Sequence, residues 1–361
     1  DACRVGGVLY GLPSNRDIAQ GRGCAAIATE YLDGIGYEVN SDDEIVKISL
    51  DELNDIYAKL HEAYPDKEVY RPGTGSMSQF SNVDALGGNV FGVLLDYGQN
   101  LDVVNLFESD FYKDYCARLY DYNQKGYISA DASTDTTAVG ELVKAGTLMS
   151  YTTGGKPGIK AQETTLTGRD MTIFQTLDDY IGSTSVAGMP WTIPISAQHK
   201  EAAMKFLNEC YSNADVANLL AWGIEGTHYK IGDDGLATYA DGVDASNSGW
   251  NHSMGWMMPN QFLTHVWEGN DPELWDKMRD FNNNAKVSKA SGFSFDSTNV
   301  ANEITAVQNV YNEYQTSVEY GFVDPETGIA EMNDKMMAAG LQKIIDEKAA
   351  QLAAWQEANK K

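Results

Sequence analysis

The chain has 361 residues, more than the ~250–300 at which a single hydrophobic core stops growing, so two compact units are expected. Its 26 Lys and Arg face 52 Asp and Glu, and the formal net charge of −26 disfavours binding to nucleic acids and to anionic membrane surfaces. The sequence has no apolar run that approaches the ~20 residues of a membrane span.

The N-terminal region contains a short apolar segment followed by polar side chains. Val8, Leu9 and Tyr10 predict a buried strand, which Gly11 and Pro13 end because proline cannot continue a central ladder. The polar triplet Asn15-Arg16-Asp17 follows directly. The sequence therefore places three polar side chains just beyond a strand and a rigid turn.

Two amphipathic helices are predicted in the first half. One begins with Ser49 and Glu52 as a capping box and stops before Pro65. Its apolar residues recur at helical spacing, at Leu53, Ile56, Tyr57 and Leu60. The other spans 109–125 and ends at Gly126.

The next segment alternates helix and strand. A helix is predicted over 136–145 and a strand over 147–151, and the strand runs into a turn over 152–158. Such alternation indicates an α/β layer architecture. Tyr151 and Thr152 are expected at the end of that strand.

The second half repeats the strand and turn pattern at 186–194, and helices are predicted over 198–211 and 214–221. Asp234-Gly235 predicts a hairpin over 229–239, because this dipeptide suits a tight turn with positive φ. Asp271-Pro272 starts a helix well. The tail is predicted to be helical over 297–320 and 328–359.

Motifs for covalent chemistry are not found in the sequence. Gly155-Lys156 lacks the spacing of a phosphate-binding loop, and there is no GxSxG elbow or HExxH pair. Carboxylates are abundant, but no motif singles out a pair for glycoside hydrolysis. The four cysteines form no CxxC pair, and their pairing is left open, with free buried thiols as the default. We expect neither an enzyme, nor a metal site, nor a cofactor.

Four tryptophans lie beside glycine or proline rather than within a helical pattern: Trp191, Trp222, Trp250 and Trp256. An aromatic face in a loop can stack on the apolar face of a sugar ring while nearby polar groups bind its hydroxyls. The alternative is that each is a core or hinge residue. Trp267, Trp275 and Trp355 fall in or beside helical patterns, where packing explains them better.

Several of these segments together resemble a known family. These segments are residues 8–17, residues 189–194 with the helix that follows, the segment from Trp222 to Tyr229, and residues 242–244, 255–257 and 260–262. The chain is similar over nearly its whole length to the extracellular solute-binding proteins of ABC importers, family 1, which are maltose-binding-protein-like. The match is to a branch of large lipoproteins from Gram-positive bacteria.

The resemblance implies an α/β fold of the type II periplasmic-binding-protein kind, with two α/β lobes joined by a hinge. The C-terminal lobe would comprise 14–192 and 246–361, and the rest of the N-terminal lobe 1–13 and 193–245. In the family, a longer segment precedes the first crossing strand, so the first lobe is expected to be incomplete in this chain.

The implied function is to capture a small solute, most simply a neutral sugar or oligosaccharide, in a cleft between the lobes and deliver it to ABC permease subunits. Hinge closure is the implied mechanism. A monomer is expected at the cell surface, with a signal and a lipid anchor upstream. A carbohydrate hydrolase, a peptide-binding transport protein and a passive surface adhesin are the alternatives. The candidate ligand-binding residues are Asn15, Arg16, Asp17, Tyr151, Thr152, Trp191, Trp222, Trp250, Trp256 and Asn260.

Overall fold

The computed structural model describes residues 3–5, 8–39, 43–73, 75–250 and 254–359. The chain divides into two compact units. Unit 1 comprises Asp1–Ala19 and Thr184–Asn284, and unit 2 comprises Gln20–Ser183 and Ala285–Lys361. The chain therefore passes from one unit to the other after residues 19, 183 and 284, whereas the sequence placed these passages after 13, 192 and 245.

Hydrogen bonds explain why the segment before Gln20 belongs to unit 1. The backbone N–H of Asn15 donates to the carbonyl of Pro259 over 2.7 Å. The backbone N–H groups of Ile18 and Ala19 both donate to the side-chain oxygen of Asn282 over 3.0 Å. Sequence patterns cannot reveal these pairings, because the partners lie more than 200 residues away along the chain.

The helices and strands are numbered along the chain. The strands are β1 (Arg4–Val5), β2 (Val8–Leu9), β3 (Leu12–Pro13), β4 (Gln20–Ala28), β5 (Ile45–Lys47), β6 (Glu68–Arg71), β7 (Leu148–Gly155), β8 (Met171–Gln175), β9 (Asp179–Ile181), β10 (Pro190–Trp191), β11 (Tyr229–Ile231), β12 (Ala237–Tyr239) and β13 (Lys286–Val287). The helices are α1 (Thr29–Gly34), α2 (Leu50–Ala63), α3 (Ser76–Gln79), α4 (Asp110–Gln124), α5 (Val139–Ala145), α6 (Ile159–Thr167), α7 (Lys200–Ser212), α8 (Ala214–Trp222), α9 (Leu274–Asn284), α10 (Ala301–Glu319), α11 (Pro325–Ala338) and α12 (Leu341–Ala358).

Unit 2 is built on a mixed seven-stranded sheet. The central strand β4 runs antiparallel to β7, β8 and β9, while β6 is parallel to β7, β5 to β8, and β13 to β9. Residues Cys24 to Ala28 of β4 are completely buried. The sequence analysis missed this strand, because Gly and Ala have low strand propensity and the position at the centre of the sheet is set by its neighbours.

The predicted helix after Ser49 is confirmed as α2. The Ser49 hydroxyl oxygen accepts a hydrogen bond from the backbone N–H of Glu52 over 3.1 Å, and the helix ends at Ala63, two residues before Pro65. Its apolar stripe is buried in the core of unit 2. Capping and periodicity are local signals, which explains why the sequence was sufficient here.

The C-terminal tail is divided more finely than expected. The sequence predicted one helix over 328–359, but Gly340 separates α11 from α12. Gly340 has φ +109°, and a Cβ built there would lie 2.8 Å from Cγ of Glu303 on α10. Glycine satisfies both the backbone conformation and this close approach.

Unit 1 contains the paired strands β3 and β10, the predicted hairpin β11–β12, and helices α7, α8 and α9. Its core cluster consists of Leu236, Val266, Leu274 and Met278. The prediction that residues 8–10 form a buried strand is wrong as regards burial, since Val8, Leu9 and Tyr10 are all exposed. β2 pairs with β1 in a two-stranded ladder that is not part of a larger sheet.

Candidate ligand-binding sites

Unit 1 contains an open cavity of about 420 Å³ next to helix α7. Two of the predicted tryptophans, Trp191 and Trp250, line it. The other lining residues are Thr192, Ile193, Ala203, Phe206, Leu207, Cys210, Leu220, Met257, Met258 and Pro259. The structure therefore brings together two aromatic side chains that are 59 positions apart in the sequence (250 − 191).

Hydrogen bonds fix the edges of both indoles. Nε1 of Trp191 donates to the carbonyl of Met257 over 3.2 Å, and Nε1 of Trp250 donates to the carbonyl of Leu220 over 3.1 Å. Trp191 remains 41% exposed and Trp250 45% exposed. Because the N–H groups are already satisfied, ring stacking is what these side chains offer to a ligand.

Among the described residues, none of those that line the cavity carries a charged side chain. Thr192 and Cys210 have the hydrogen-bonding side chains of the lining besides the two indoles, and burial raises the pKa of the Cys210 thiol, so that it stays protonated at neutral pH. Such a surface suits the apolar face of a ligand.

The other two candidate tryptophans lie outside this lining. Trp222 stacks on Trp267 with ring centroids 4.6 Å apart, and its Nε1 donates to the carbonyl of His265 over 3.1 Å. This arrangement indicates a packing role, the alternative left open by the sequence. Trp256 lies in a short 3₁₀ turn over 255–257 and is 38% exposed.

The segment 14–17 is held mainly by its backbone. The hydroxyl of Ser14 donates to the carbonyl of Met189, and the carbonyl of Asn15 accepts from the backbone N–H of Gln261 over 3.0 Å. The side chain of Asn15 is exposed. Asn15 is thus the member of the predicted triplet with a side chain open to solvent.

Its neighbours have structural partners. The Arg16 guanidinium donates to the carbonyl of Asp17 over 2.5 Å and to that of Ser185 over 3.4 Å. Asp17 is buried and accepts from the side-chain amide of Gln261 over 3.5 Å. These contacts fix the segment and leave little of Asp17 for a ligand.

Asn260, another candidate, is also buried and acts as a cap. Its side-chain oxygen accepts from the backbone N–H of Phe262 over 3.2 Å, and its side-chain nitrogen donates to the carbonyl of Tyr211 over 2.9 Å. Both ends of the amide are therefore occupied within unit 1.

In unit 2, the two candidates on β7 point to opposite faces of the sheet, as successive strand residues do. Tyr151 is 3% exposed, and its hydroxyl donates to the Glu163 carboxylate on α6. Thr152 is half-buried and shares hydrogen bonds with the Tyr70 hydroxyl over 2.6 Å and the Ser76 hydroxyl over 3.1 Å. The structure does not support Tyr151 as a ligand contact, whereas Thr152 lies on the partly open face.

No group of three or more His, Cys, Asp or Glu side chains in the described residues could hold a metal ion. All four cysteines are free. Within the described part of the chain, the helices are too short or too polar to cross a membrane.

Comparison with solved structures identifies the fold as that of the solute-binding proteins, which confirms the expected fold class and the resemblance seen in the sequence. A crystal structure of the N-glycan transport solute-binding protein NgtS from Streptococcus pneumoniae matches with a TM-score of 0.84 and 22% identity, over 99% of this chain and 78% of that chain. NgtS in complex with Man1GlcNAc matches with a TM-score of 0.76 and 22% identity over the same shares.

Sequence comparison gives a consistent result. A carbohydrate ABC transporter substrate-binding protein of Streptococcus pneumoniae serotype 4 is 25% identical over 350 residues, which are 95% of this chain and 68% of that protein. Residues 289–357 match a family model described as a domain of unknown function, DUF3502. This segment covers the loop that follows β13, the helices α10 and α11, and most of α12.

Proposed function

We propose that this chain is the substrate-binding component of an ABC importer, and that it captures a sugar or oligosaccharide and delivers it to membrane permease subunits. The observation that carries the proposal is the match of its fold to NgtS over 99% of the chain with a TM-score of 0.84. The relative that is 25% identical is named a carbohydrate ABC transporter substrate-binding protein, which supports the same class.

The side chains of unit 1 favour a neutral sugar as the ligand. Trp191 and Trp250 expose ring surface at the cavity, and their indole N–H groups are already hydrogen bonded. Aromatic rings of this kind stack on the apolar face of a pyranose. The net charge of −26 disfavours an anionic solute over a neutral one. Asn15, Thr152 and Trp256 remain in the proposal as further contacts.

The proposal includes no covalent step. It places the protein outside the cytoplasmic membrane as a monomer, attached to the cell surface by a lipid anchor. Labelling of the native protein with radioactive palmitate in the cells that produce it tests the anchor, and release of unlabelled protein into the medium would contradict it.

Isothermal titration calorimetry with a panel of ligands tests the function. The panel contains Man1GlcNAc, Man5GlcNAc, maltotriose and a mixture of tri- to pentapeptides. We expect saturable binding of at least one oligosaccharide and no binding of peptides. Binding of peptides alone would reject the sugar assignment. Mass spectrometry of each oligosaccharide after incubation separates binding from hydrolysis, since a hydrolase would produce shorter sugars.

A further inference from the structure

Arg22, which the sequence analysis did not single out, is held on two sides by unit 2. It lies near the start of β4, and its Nη1 donates to the carbonyl of Ser78 on α3. Its guanidinium carbon lies 5.5 Å from the centroid of the Tyr180 ring on β9. Because two separate elements hold the side chain in place, little further side-chain entropy is lost when a ligand binds to it.

The opposite edge of this guanidinium makes no hydrogen bond to the residues that the structure describes. Nε is buried without a hydrogen bond, and the bond from Nη1 to Ser78 is the one that the guanidinium makes within the described part of the chain. Burial lowers the pKa of Arg22, but an arginine remains charged at neutral pH. Nε–H and Nη2–H of a guanidinium are parallel donors, a fork that matches two neighbouring oxygen atoms.

A second buried polar atom without a partner lies on α3, one residue after Ser78, which accepts from Arg22. Gln79 follows Ser78 in α3, and its side-chain oxygen is buried without a hydrogen bond. Gly154 of β7 lies beside that oxygen, since a Cβ built on Gly154 would be 3.8 Å from it. Thr152, two residues before Gly154, is on the same face of the strand.

The charges around Arg22 favour a neutral ligand over an anion. The negative charge of Asp84 opposes the lowering of the Arg22 pKa by burial, so an anionic group already acts on the guanidinium. A carboxylate ligand would be repelled by the negative charge of Asp84 and by the side-chain oxygen of Gln79. A hydroxyl accepts from one neighbour and donates to another, so it satisfies both the unpaired donor and the unpaired acceptor.

We propose that Arg22 and Gln79 form a polar subsite of unit 2 that binds two neighbouring hydroxyls of a neutral sugar. The Arg22 fork donates to both oxygens, and one hydroxyl donates to the Gln79 side chain. The inference rests on the proposed function.

Calorimetry with the full chain and Man1GlcNAc, Man5GlcNAc and a hyaluronan disaccharide tests the subsite. We expect Arg22→Gln to weaken binding of the neutral sugar by about tenfold or more, since a hydrogen bond to a charged group is lost. Arg22→Lys keeps the charge without the fork and should not restore affinity. Gln79→Leu is the second variant. Gln79 is half-buried, so we expect its replacement to leave the protein folded.

The matched control is Arg279→Gln, which removes an exposed arginine paired with Asp276 on α9. A melting temperature is measured for each variant. The NMR signal of the Arg22 Nε–H, assigned by its loss in Arg22→Lys, should shift on addition of sugar, which a purely structural arginine would not do.

Unchanged affinity in both Arg22→Gln and Gln79→Leu, with sugar binding intact in the wild type, would overturn the subsite and leave the proposed function standing. Failure of the wild type to bind any sugar would overturn both. Tighter binding of the hyaluronan disaccharide, lost in Arg22→Gln, would assign the fork to a carboxylate and reject the neutral ligand.

Discussion

The side-chain amide of Asn282 on α9 donates to the backbone carbonyl of Arg16 over 2.8 Å. The oxygen of the same amide accepts the backbone N–H groups of Ile18 and Ala19, each over 3.0 Å. One side chain thus satisfies three backbone groups in the last residues before the chain enters unit 2 at Gln20. The sequence offered no motif for it, because an asparagine within a helix has no local signature for a contact of this range.

We predict that Asn282→Ala lowers the free energy of unfolding by about 1–3 kcal/mol, since buried or half-buried backbone groups lose their partners. Urea denaturation measures the change. Asn283→Ala is the matched control, because it alters an exposed asparagine in the same helix. Equal effects of the two substitutions would contradict a special role for Asn282.

Replacement of the cavity tryptophans should weaken sugar binding. Trp191→Leu and Trp250→Leu keep apolar bulk but lose the aromatic face, and we expect each to raise the dissociation constant by about 3- to 10-fold. Trp256→Leu is the comparison, because Trp256 is similarly exposed but does not line the cavity. Calorimetry with the best ligand of the panel measures all three. A larger loss in Trp256→Leu than in the other two would move the aromatic contact away from the cavity.

The two faces of β7 predict different effects for neighbouring residues. Tyr151→Phe removes the donor to Glu163 and should lower the free energy of unfolding by about 1–2 kcal/mol without changing the affinity for sugar. Thr152→Val should weaken sugar binding, because Thr152 lies on the half-open face near Gln79 and Gly154. Thermal unfolding and calorimetry on both variants separate the two outcomes. Weaker binding in Tyr151→Phe alone would place the ligand on the α6 side.

The stability of the protein should depend on pH through Lys348, a fully buried lysine on α12. Its ammonium donates to the carbonyls of Ala85, Asn89 and Gly92 over 2.9–3.0 Å, and to the side-chain oxygen of Asn89 over 3.0 Å. Burial lowers its pKa from 10.5 to about 7, and the nearby Asp84 opposes the shift. Between these pH values, the unfolded chain binds more protons than the folded chain.

Raising the pH from 7 to 10 therefore favours the folded state. We expect the free energy of unfolding of the wild type to rise relative to Lys348→Met by at most about 1.4 kcal/mol per pH unit. Urea denaturation at pH 7, 8, 9 and 10 measures the slope. Lys343→Met, an exposed lysine of the same helix paired with Glu303, should show no such trend. If the difference in the free energy of unfolding between wild type and Lys348→Met does not change with pH, the four oxygens keep the lysine charged.

The local part of the fold could be predicted from the sequence. The cap at Ser49, the Asp234-Gly235 hairpin and the periodic helices depend on contacts within a few residues. The structure has the cap and the hairpin, and of the helices the last is divided at Gly340. The motifs between residues 8 and 262 were also sufficient to predict the fold of the solute-binding proteins, which the comparison with solved structures confirms. The order of the motifs along the sequence is enough for this prediction, which does not require knowledge of the tertiary contacts of each side chain.

Only the tertiary structure determined what each candidate side chain does. Of the four tryptophans, two line a cavity and Trp222 packs on Trp267, although all have similar neighbours in sequence. Tyr151 and Thr152 are adjacent, but the pleat sends them to opposite faces. Long-range hydrogen bonds give three further examples. The partners of Arg22, Asn282 and Lys348 lie 56, 264 and 263 positions away in the sequence. The physical reason is that burial and hydrogen bonding depend on which segments pack together, and that is a property of the whole fold.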